Sequence, residues 1–364
     1  MIQLFGQTLE QLQALCLEQG FPRYTARQLC DWLYVKRVES IGQMTNLSLA
    51  TRKQLSEVAV LQHMLPGDSQ ISRDGTRKYL FADTDGTRHA VEAVYIPEAD
   101  RATLCVSCQR GCKMGCRFCV TGSQGFHGQL TTGEILDQLF AVEKPEQNPN
   151  KTQTKPSNPP TLQLSNPQPI TNIVFMGMGE PMDNYDSVLA ATEILTADWG
   201  MGWSPKRITV STVGITPVMR RFLNESRCHL AVSLHNPFSD ERAQLMPMEK
   251  AYPIAGTIDL LRRYDWSGQR RVSFEYIMFD GLNDSIRHAD GLLRLLKGLQ
   301  CRINLIRFHT SPDMPFHTSS DATIRSFQEH LNKHGITCTL RASRGEDIMA
   351  ACGLLAGKKG VKKV

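Results

Sequence analysis

Ala102-Thr103-Leu104-Cys105-Val106-Ser107-Cys108-Gln109-Arg110-Gly111-Cys112-Lys113-Met114-Gly115-Cys116-Arg117-Phe118-Cys119 opens as an apolar strand and closes as a cluster of thiols. Three of the eleven cysteines in these 364 residues fall here as C-x3-C-x2-C, at Cys112, Cys116 and Cys119. At about 0.03 cysteines per position, chance supplies roughly 0.01 such triples in a chain of this length. Three thiolates at that spacing can wrap one corner of an iron–sulfur cubane and leave its fourth iron open to a small molecule. Cys108 keeps a second reading open, a four-thiolate zinc site made of Cys108, Cys112, Cys116 and Cys119. Iron and sulfide analysis separates the two.

Downstream, the chain repeats strand and helix. Strands are expected over 102–107, 171–177, 207–212, 229–234, 271–277, 302–308 and 337–341, with helices near 131–143, 185–197, 215–224, 256–264, 285–298 and 322–334. Such alternation implies an α/β fold of parallel strands with crossover helices. A partial or complete βα barrel and an open doubly wound sheet both satisfy it, and in either the loops after the strands carry the chemistry. Upstream, residues 8 to about 58 read as helices: Leu9, Leu12, Leu15 and Cys16 recur at helical spacing, Pro22 interrupts, and Thr45-Asn46-Leu47-Ser48 starts another. Over 69–97 the pattern turns to short strands around Asp74-Gly75 and Asp85-Gly86. The stretch 145–169, rich in Pro, Asn, Gln, Thr and Ser, reads as a flexible surface insertion. The expected organisation is an accessory unit over 1–97 (helical, then hairpins), a core over 98–345 and a C-terminal segment over 346–364.

Composition narrows the class. Hydrophobic residues make up 41% and charged residues 21%, an ordinary globular balance. No apolar run approaches the ~20 residues that span a bilayer, and the start lacks a basic region followed by an apolar core. The expected setting is the reducing cytoplasm, where clustered cysteines mean metal or catalysis more often than bridges. A net charge of +5 falls short of a dedicated nucleic-acid binder. Arg23, Arg27, Lys36 and Arg37 cluster near the start, and Lys358, Lys359, Lys362 and Lys363 at the end. Either patch could meet an RNA backbone or be a solvated face.

Other residues stand where a ligand could meet them. Gly177-Met178-Gly179-Glu180-Pro181 follows the apolar Ile173-Val174-Phe175-Met176; glycines admit a close ligand and a carboxylate can pair with an ammonium. The plainer reading is a glycine-rich turn. Ser211 and the trio Ser233, Leu234 and His235 end expected strands, where hydroxyls and an imidazole suit ribose and carboxylate contacts or local hydrogen bonding. Cys105 and Cys352 read, on pattern alone, as small buried hydrophobes. Glu92 lies in the apolar Val91-Glu92-Ala93-Val94-Tyr95-Ile96; desolvation would make it a better base, although pattern alone favours a solvent-facing strand glutamate.

With Phe118 as the aromatic of C-x3-C-x-aromatic-C, the cluster resembles the signature of the radical S-adenosylmethionine (SAM) superfamily. The run from Cys105 through Gly125-Phe126 is similar, more narrowly, to the RlmN/Cfr family of RNA adenosine methyltransferases, most like its RlmN branch. The likeness continues through Gly177–Pro181, Ser211-Thr212, Ser233-Leu234-His235, Ile303-Asn304-Leu305-Ile306, Arg344-Gly345-Glu346-Asp347 and Ala351-Cys352-Gly353, and includes Ala26-Arg27-Gln28 and Trp32-Leu33-Tyr34. It covers nearly the whole chain apart from the insertion. The resemblance implies a partial (βα)6 TIM-like barrel, a [4Fe-4S] cluster on Cys112, Cys116 and Cys119, and SAM contacts from Gly179, Glu180, Ser211, Ser233, Leu234, His235 and His309. It implies that Cys352 takes a methyl group from one SAM, and that a radical derived from a second SAM activates the methyl carbon for addition to the base. Cys105 then releases the product by forming a transient disulfide with Cys352, and Glu92 accepts the proton. The implied substrates are 23S rRNA and the adenosine beside the anticodon in tRNAs, at C2, with C8 methylation as the rival outcome. A non-catalytic, zinc-stabilised RNA-binding protein is the reading from a different class. An electron donor such as flavodoxin with its reductase, a monomeric state and no membrane complete the expectation. Two positions depart from the family pattern: His309 stands where the family has an asparagine, and Cys108 where it has a serine.

Overall fold

The structure, a computed structural model, describes residues 1–82, 89–143, 168–266, 272–310 and 314–356. Nearly all of the insertion at 145–169, the Asp85-Gly86 turn and the four C-terminal lysines lie outside the described residues. Among the described residues no helix is long and apolar enough to cross a membrane.

The chain opens with β1 (Ile2–Gln3), α1 (Leu9–Glu18), α2 (Thr25–Cys30), α3 (Leu49–Val58) and β2 (Ala59–Val60), β1 and β2 pairing in parallel. Thr8 and Gln11 cap α1 reciprocally, and Ser48 caps α3 by accepting from the Thr51 amide. After α2 the helix widens into a π turn over Asp31–Val35. Leu12, Leu15, Leu29, Leu33 and Leu55 form the buried stripes.

Next come β3 (Asp68–Ile71), β4 (Arg77–Phe81) and β5 (Val91–Pro97), antiparallel, then β6 (Ala102–Cys105) and a two-stranded ribbon of β7 (Gln109–Gly111) and β8 (Phe126–Gln129) enclosing the short α4 (Val120–Ser123). Strand and helix then alternate: α5 (Thr132–Glu143), β9 (Asn172–Phe175), α6 (Tyr185–Thr196), β10 (Ile208–Thr212), α7 (Thr216–Glu225), β11 (His229–Ser233), α8 (Ser239–Leu245), α9 (Ile254–Arg262), β12 (Val272–Met278), α10 (Ile286–Leu295), β13 (Arg302–Arg307), α11 (Asp321–Lys333) and β14 (Thr337–Leu340). The expected strands and helices all form, most within two residues of the predicted ends.

The order across the large sheet is β14-β13-β12-β11-β10-β9-β6-β5-β4-β3. The parallel strands β6 and β9 through β14 stand in chain order without a reversal. A doubly wound sheet needs a point where the order reverses, so the alternative left open by the periodicity resolves to a curling partial barrel, with the hairpin strands added at the β6 edge. Register assigns the faces. Leu104, Ile173, Val210, Leu230, Phe274 and Ile303 are fully buried or nearly so on one face. The opposite face carries Cys105, Val174, Ser211, Ser233, Glu275, Asn304 and Thr339, with Cys105 opposite Val174, and with Ser233, Glu275, Asn304 and Thr339 in successive register. That polar inner face is where a ligand can be met.

Candidate functional site

The loops at the C-terminal ends of the parallel strands surround a cleft of about 820 Å³, including its open mouth. Its wall is built from the thiol loop after β6, the glycine turn after β9, the ends of β10 through β13, Arg341 after β14, and Cys352. Cys112, Cys116, Cys119, Gly179, Glu180, Ser211, Ser233, His235 and Cys352 therefore share one space, although they span most of the sequence.

The loop thiols are hard to ionise as they stand. Burial, opposed by the Met114 amide and reinforced by Glu180 and Cys119, pushes Cys112 up to about 12. Burial followed by the charges of Cys119 and Cys112 drives Cys116 up, and burial raises Cys119. Thiols that penalise one another's ionisation are relieved by a cationic core, and the three fit an iron–sulfur cluster in this respect. Among the described residues, no three His, Cys, Asp or Glu side chains are grouped to hold a single metal ion. Cys108 is buried in the core and does not border the cleft.

Glycine at 179 has a definite reason. Its φ is +103°, and an added Cβ would lie 2.5 Å from Gln109 Cβ. The turn presents Glu180, whose Oε1 accepts from the Met182 amide at 3.0 Å and whose Oε2 accepts from the Val213 amide at 2.9 Å. Burial nevertheless pushes this carboxyl up to about 7, against the Thr212 hydroxyl and those two amides. It is a desolvated acid that would gain from a cationic partner.

His235 adopts a left-handed φ of 55°. Its Nδ1 accepts from the Ile277 amide at 3.0 Å, so its proton sits on Nε2. Burial and then the Arg242 charge lower it to about 3, so it stays neutral. Arg242, 1% exposed, ties the strand ends together: Nε donates to Leu234 O at 2.9 Å, while Nη2 donates to Val213 O at 3.0 Å and to Ser233 O at 2.8 Å. Its charge is met by Glu249, which also accepts from Ser239 and the Ile254 amide.

Cys352 is exposed at the mouth. The segment bearing it is a strap fastened at both ends. On one side the Gly345 amide donates to Asp74 at 3.0 Å and Ser72 donates to Asp347 at 2.5 Å. On the other, the Val120 amide donates to Gly353 O, Thr121 to Leu355 O, and the Ala356 amide to Glu92 Oε2 at 2.9 Å. Cys105 lies on the inner face, its thiol pushed up to about 12 by burial first and by Cys352 second. Glu92 is buried on β5, faces Lys78 Nζ at 3.2 Å, and does not border the cleft.

The structure does not bring Leu234 or His309 to the cleft wall. Leu234 is fully buried, and its carbonyl is held by Arg242. His309 lies 3.1 Å from Ser343 Oγ and 3.6 Å from Glu346. Of the N-terminal basic residues, Arg27 pairs with Asp198, Lys36 with Asp31 over the Trp32 ring, and Arg37 with Glu143 over Phe140. The first two pairs are exposed and weak enough for a phosphate to replace. No motif marks Glu275, Arg341 or Arg242 in the sequence. The signal for Glu275 was a lone acid inside Val272-Ser273-Phe274-Glu275-Tyr276-Ile277-Met278.

Residues 2–61 match the family model of the ribosomal RNA large subunit methyltransferase N-terminal domain, and residues 106–293 match that of the radical SAM superfamily. A probable dual-specificity RNA methyltransferase RlmN from Porphyromonas gingivalis is 52% identical over 356 residues, 98% of this chain and 97% of that protein. A dual-specificity RNA methyltransferase RlmN from Syntrophus aciditrophicus is 42% identical over 98% of this chain and 97% of its own length. The crystal structure of a radical SAM methyltransferase from Sphaerobacter thermophilus superposes with a TM-score of 0.83 at 39% identity, covering 98% of this chain and all of that one.

Proposed function

The chain belongs to the RlmN family of radical SAM RNA methyltransferases, and from that membership we propose that it methylates C2 of one adenosine in 23S rRNA and of the adenosine beside the anticodon in tRNAs. One observation carries the reading: Cys352 borders the same cleft as the three loop thiols, while Cys105 stands on the inner face of the adjoining β6, just behind the wall.

The [4Fe-4S] cluster and SAM, once bound, supply reductive cleavage of a sulfonium C–S bond and hence a carbon-centred radical. The chain's residues do the rest. Cys112, Cys116 and Cys119 hold the cluster. Glu180, raised by burial, meets the ammonium of the methionine moiety and regains its charge there. Ser211 and Ser233 offer hydroxyls, and neutral His235 offers its Nε2–H, to ribose and carboxylate oxygens. Cys352 carries the methyl group to the base, since the adenine carbon is no nucleophile and cannot take it by polar displacement. Glu92, the position that matches the family's proton acceptor, stands behind the wall beside the Cys352 strap, and its part in removing the proton from that carbon is the proposal tested below. Cys105 attacks the Cys352 sulfur, the bond to the product carbon breaks, and a Cys105–Cys352 disulfide is left for a thiol reductant to reopen. Leu234 and His309 complete the SAM contacts that the family pattern assigns, although neither side chain borders the cleft. An electron donor such as flavodoxin with its reductase, a monomeric enzyme and the cytoplasm complete the proposal.

The test is anaerobic reconstitution with SAM, reductant and rRNA or tRNA fragments, followed by nuclease digestion and mass spectrometry. Adenosine methylated at C2 is expected from both RNAs, and methylation at C8 would overturn the regiochemistry. Cys105→Ala should accumulate a covalent protein–RNA adduct, visible as a shifted band in a denaturing gel. Free methylated RNA at the wild-type rate would remove Cys105 from the scheme.

A further inference from the structure

The floor of the cleft beside Cys352 carries an acceptor and a donor that the reaction above does not use. Glu275 lies on the inner face of β12, its side chain 5% exposed. Oε1 is satisfied by Asn304 Nδ2 at 2.8 Å and Ser273 Oγ at 3.1 Å. Oε2 is buried and accepts no hydrogen bond. Its nearest cation is Arg341 Nη1 at 3.6 Å, outside hydrogen-bond reach, and that nitrogen leans instead on Met176 Sδ at 3.2 Å. Both side chains border the cleft. An unmet carboxylate oxygen in a desolvated place costs free energy, so the arrangement favours a ligand that brings a donor.

Position narrows the ligand. The groups assigned to SAM stand at the ends of β9, β10 and β11, next to the cluster thiols. Glu275 and Arg341 stand on and after β12 and β14, and both border the cleft together with Cys352. A base that receives carbon from Cys352 enters the cleft that these two side chains border. Resting on the function proposed above, we propose that Glu275 and Arg341 read the target base: Glu275 Oε2 accepts from the exocyclic amine of adenine, and Arg341 donates to the ring nitrogen beside it. An acceptor next to a donor is what an adenine edge requires, the pattern a bidentate Asn or Gln presents to adenine in nucleic-acid complexes. Guanine puts an oxygen where the amine would be and meets a carboxylate. Which ring nitrogen Arg341 contacts would also orient the base, because N1 adjoins C2 and N7 lies next to C8.

The experiment compares kcat/KM for an RNA fragment carrying adenosine at the target with one carrying purine riboside, which lacks the amine, in the wild type, Glu275→Ala and Glu275→Gln. The wild type should prefer adenosine about 10–100-fold, the worth of a hydrogen bond to a charged group. Glu275→Ala should bring the ratio toward one, and Glu275→Gln, whose amide oxygen still accepts, should restore part of it. Methylation of Cys352 by SAM without RNA, read by intact mass, should proceed in all three and certifies that they fold. A preference unchanged in Glu275→Ala overturns the proposal. So does loss of Cys352 methylation alone in a variant that melts like the wild type, which would place Glu275 on SAM. A wild type that methylates no RNA adenosine sinks the underlying function, and this pairing with it.

Discussion

Replacing Glu249 by glutamine tests how the cleft is held. The substitution keeps shape and an acceptor oxygen for the Ile254 amide and Ser239, but removes the charge facing Arg242, a side chain 1% exposed. Breaking a buried pair from one side costs about 3–5 kcal/mol. The three carbonyls of Leu234, Val213 and Ser233 still receive the guanidinium, so the lower end, about 3 kcal/mol, is expected here. Arg242→Met should cost more: it strands the Glu249 charge and three carbonyl oxygens, each worth about 1 kcal/mol or more. The double variant Arg242→Met/Glu249→Gln should be less damaged than the sum of the two, with a coupling of about 2–3 kcal/mol. Urea denaturation midpoints at unchanged slope measure all three. Because Arg242 bridges the ends of β10 and β11, SAM affinity should fall in each variant while the fold still holds. A loss below about 1 kcal/mol for Glu249→Gln, or strictly additive variants, would refute the claim that the charges are compensated in each other's presence.

Gly179→Ala should weaken SAM binding at least tenfold by calorimetry, since the new Cβ meets Gln109 at 2.5 Å in a left-handed turn; ordinary affinity would show the turn to be yielding. Glu180 predicts a pH dependence of defined sign. Its carboxyl sits near 7 against an ordinary 4.5, so the folded chain holds this proton more tightly than the unfolded one. Its contribution is therefore greatest below about pH 4.5 and is lost as pH rises through about 7, an amount of order 3 kcal/mol in the SAM-free protein. SAM affinity should run the opposite way, rising toward pH 7 and levelling beyond. Glu180→Gln should flatten both curves, and an unchanged slope would show that another group titrates. Asp347→Ala removes the acceptor for Ser72 and for the Arg73 amide; Cys352 methylation should slow severalfold with little change in melting temperature, whereas an unchanged rate would show that the strap needs no anchor there. Glu92→Gln should slow release of methylated RNA, and wild-type release rates would end its role as proton acceptor.

The barrel was legible because strand and helix alternate with different periods and each strand is packed on its outer face by apolar residues such as Leu104, Ile173 and Phe274. The ribbon of Gln109–Gly111 and Phe126–Gln129 was not, since it is held by backbone pairing around glycines and has no apolar alternation. Nor was α8, whose Ser-Asp-Glu-Arg-Ala-Gln-Leu reads as polar surface although Arg242 is buried. The thiols were readable because Cys112, Cys116 and Cys119 fall within one short loop, so their spacing alone announces them. Glu275, Arg341 and Arg242 act only once curling brings distant strands to one mouth, and no local spacing announces that. His309 is the converse case: it matches a family position, yet its ring meets Ser343 and Glu346 and does not line the cleft.

The strap has a mechanical consequence. Knotted to the hairpin at Gly345 and Asp347, and to the thiol loop and β5 at Gly353 through Ala356, it leaves Cys352 on a short span with little slack. Each unpinned residue adds at most about 3.5 Å of travel. Under the proposed function, a sulfur so moored would serve a methyl donor, a base and Cys105 without leaving the cleft it borders. Its successive tasks would then be rotations of one side chain, and the moorings that permit this are shared between the β3–β4 turn on one side and the thiol loop with β5 on the other.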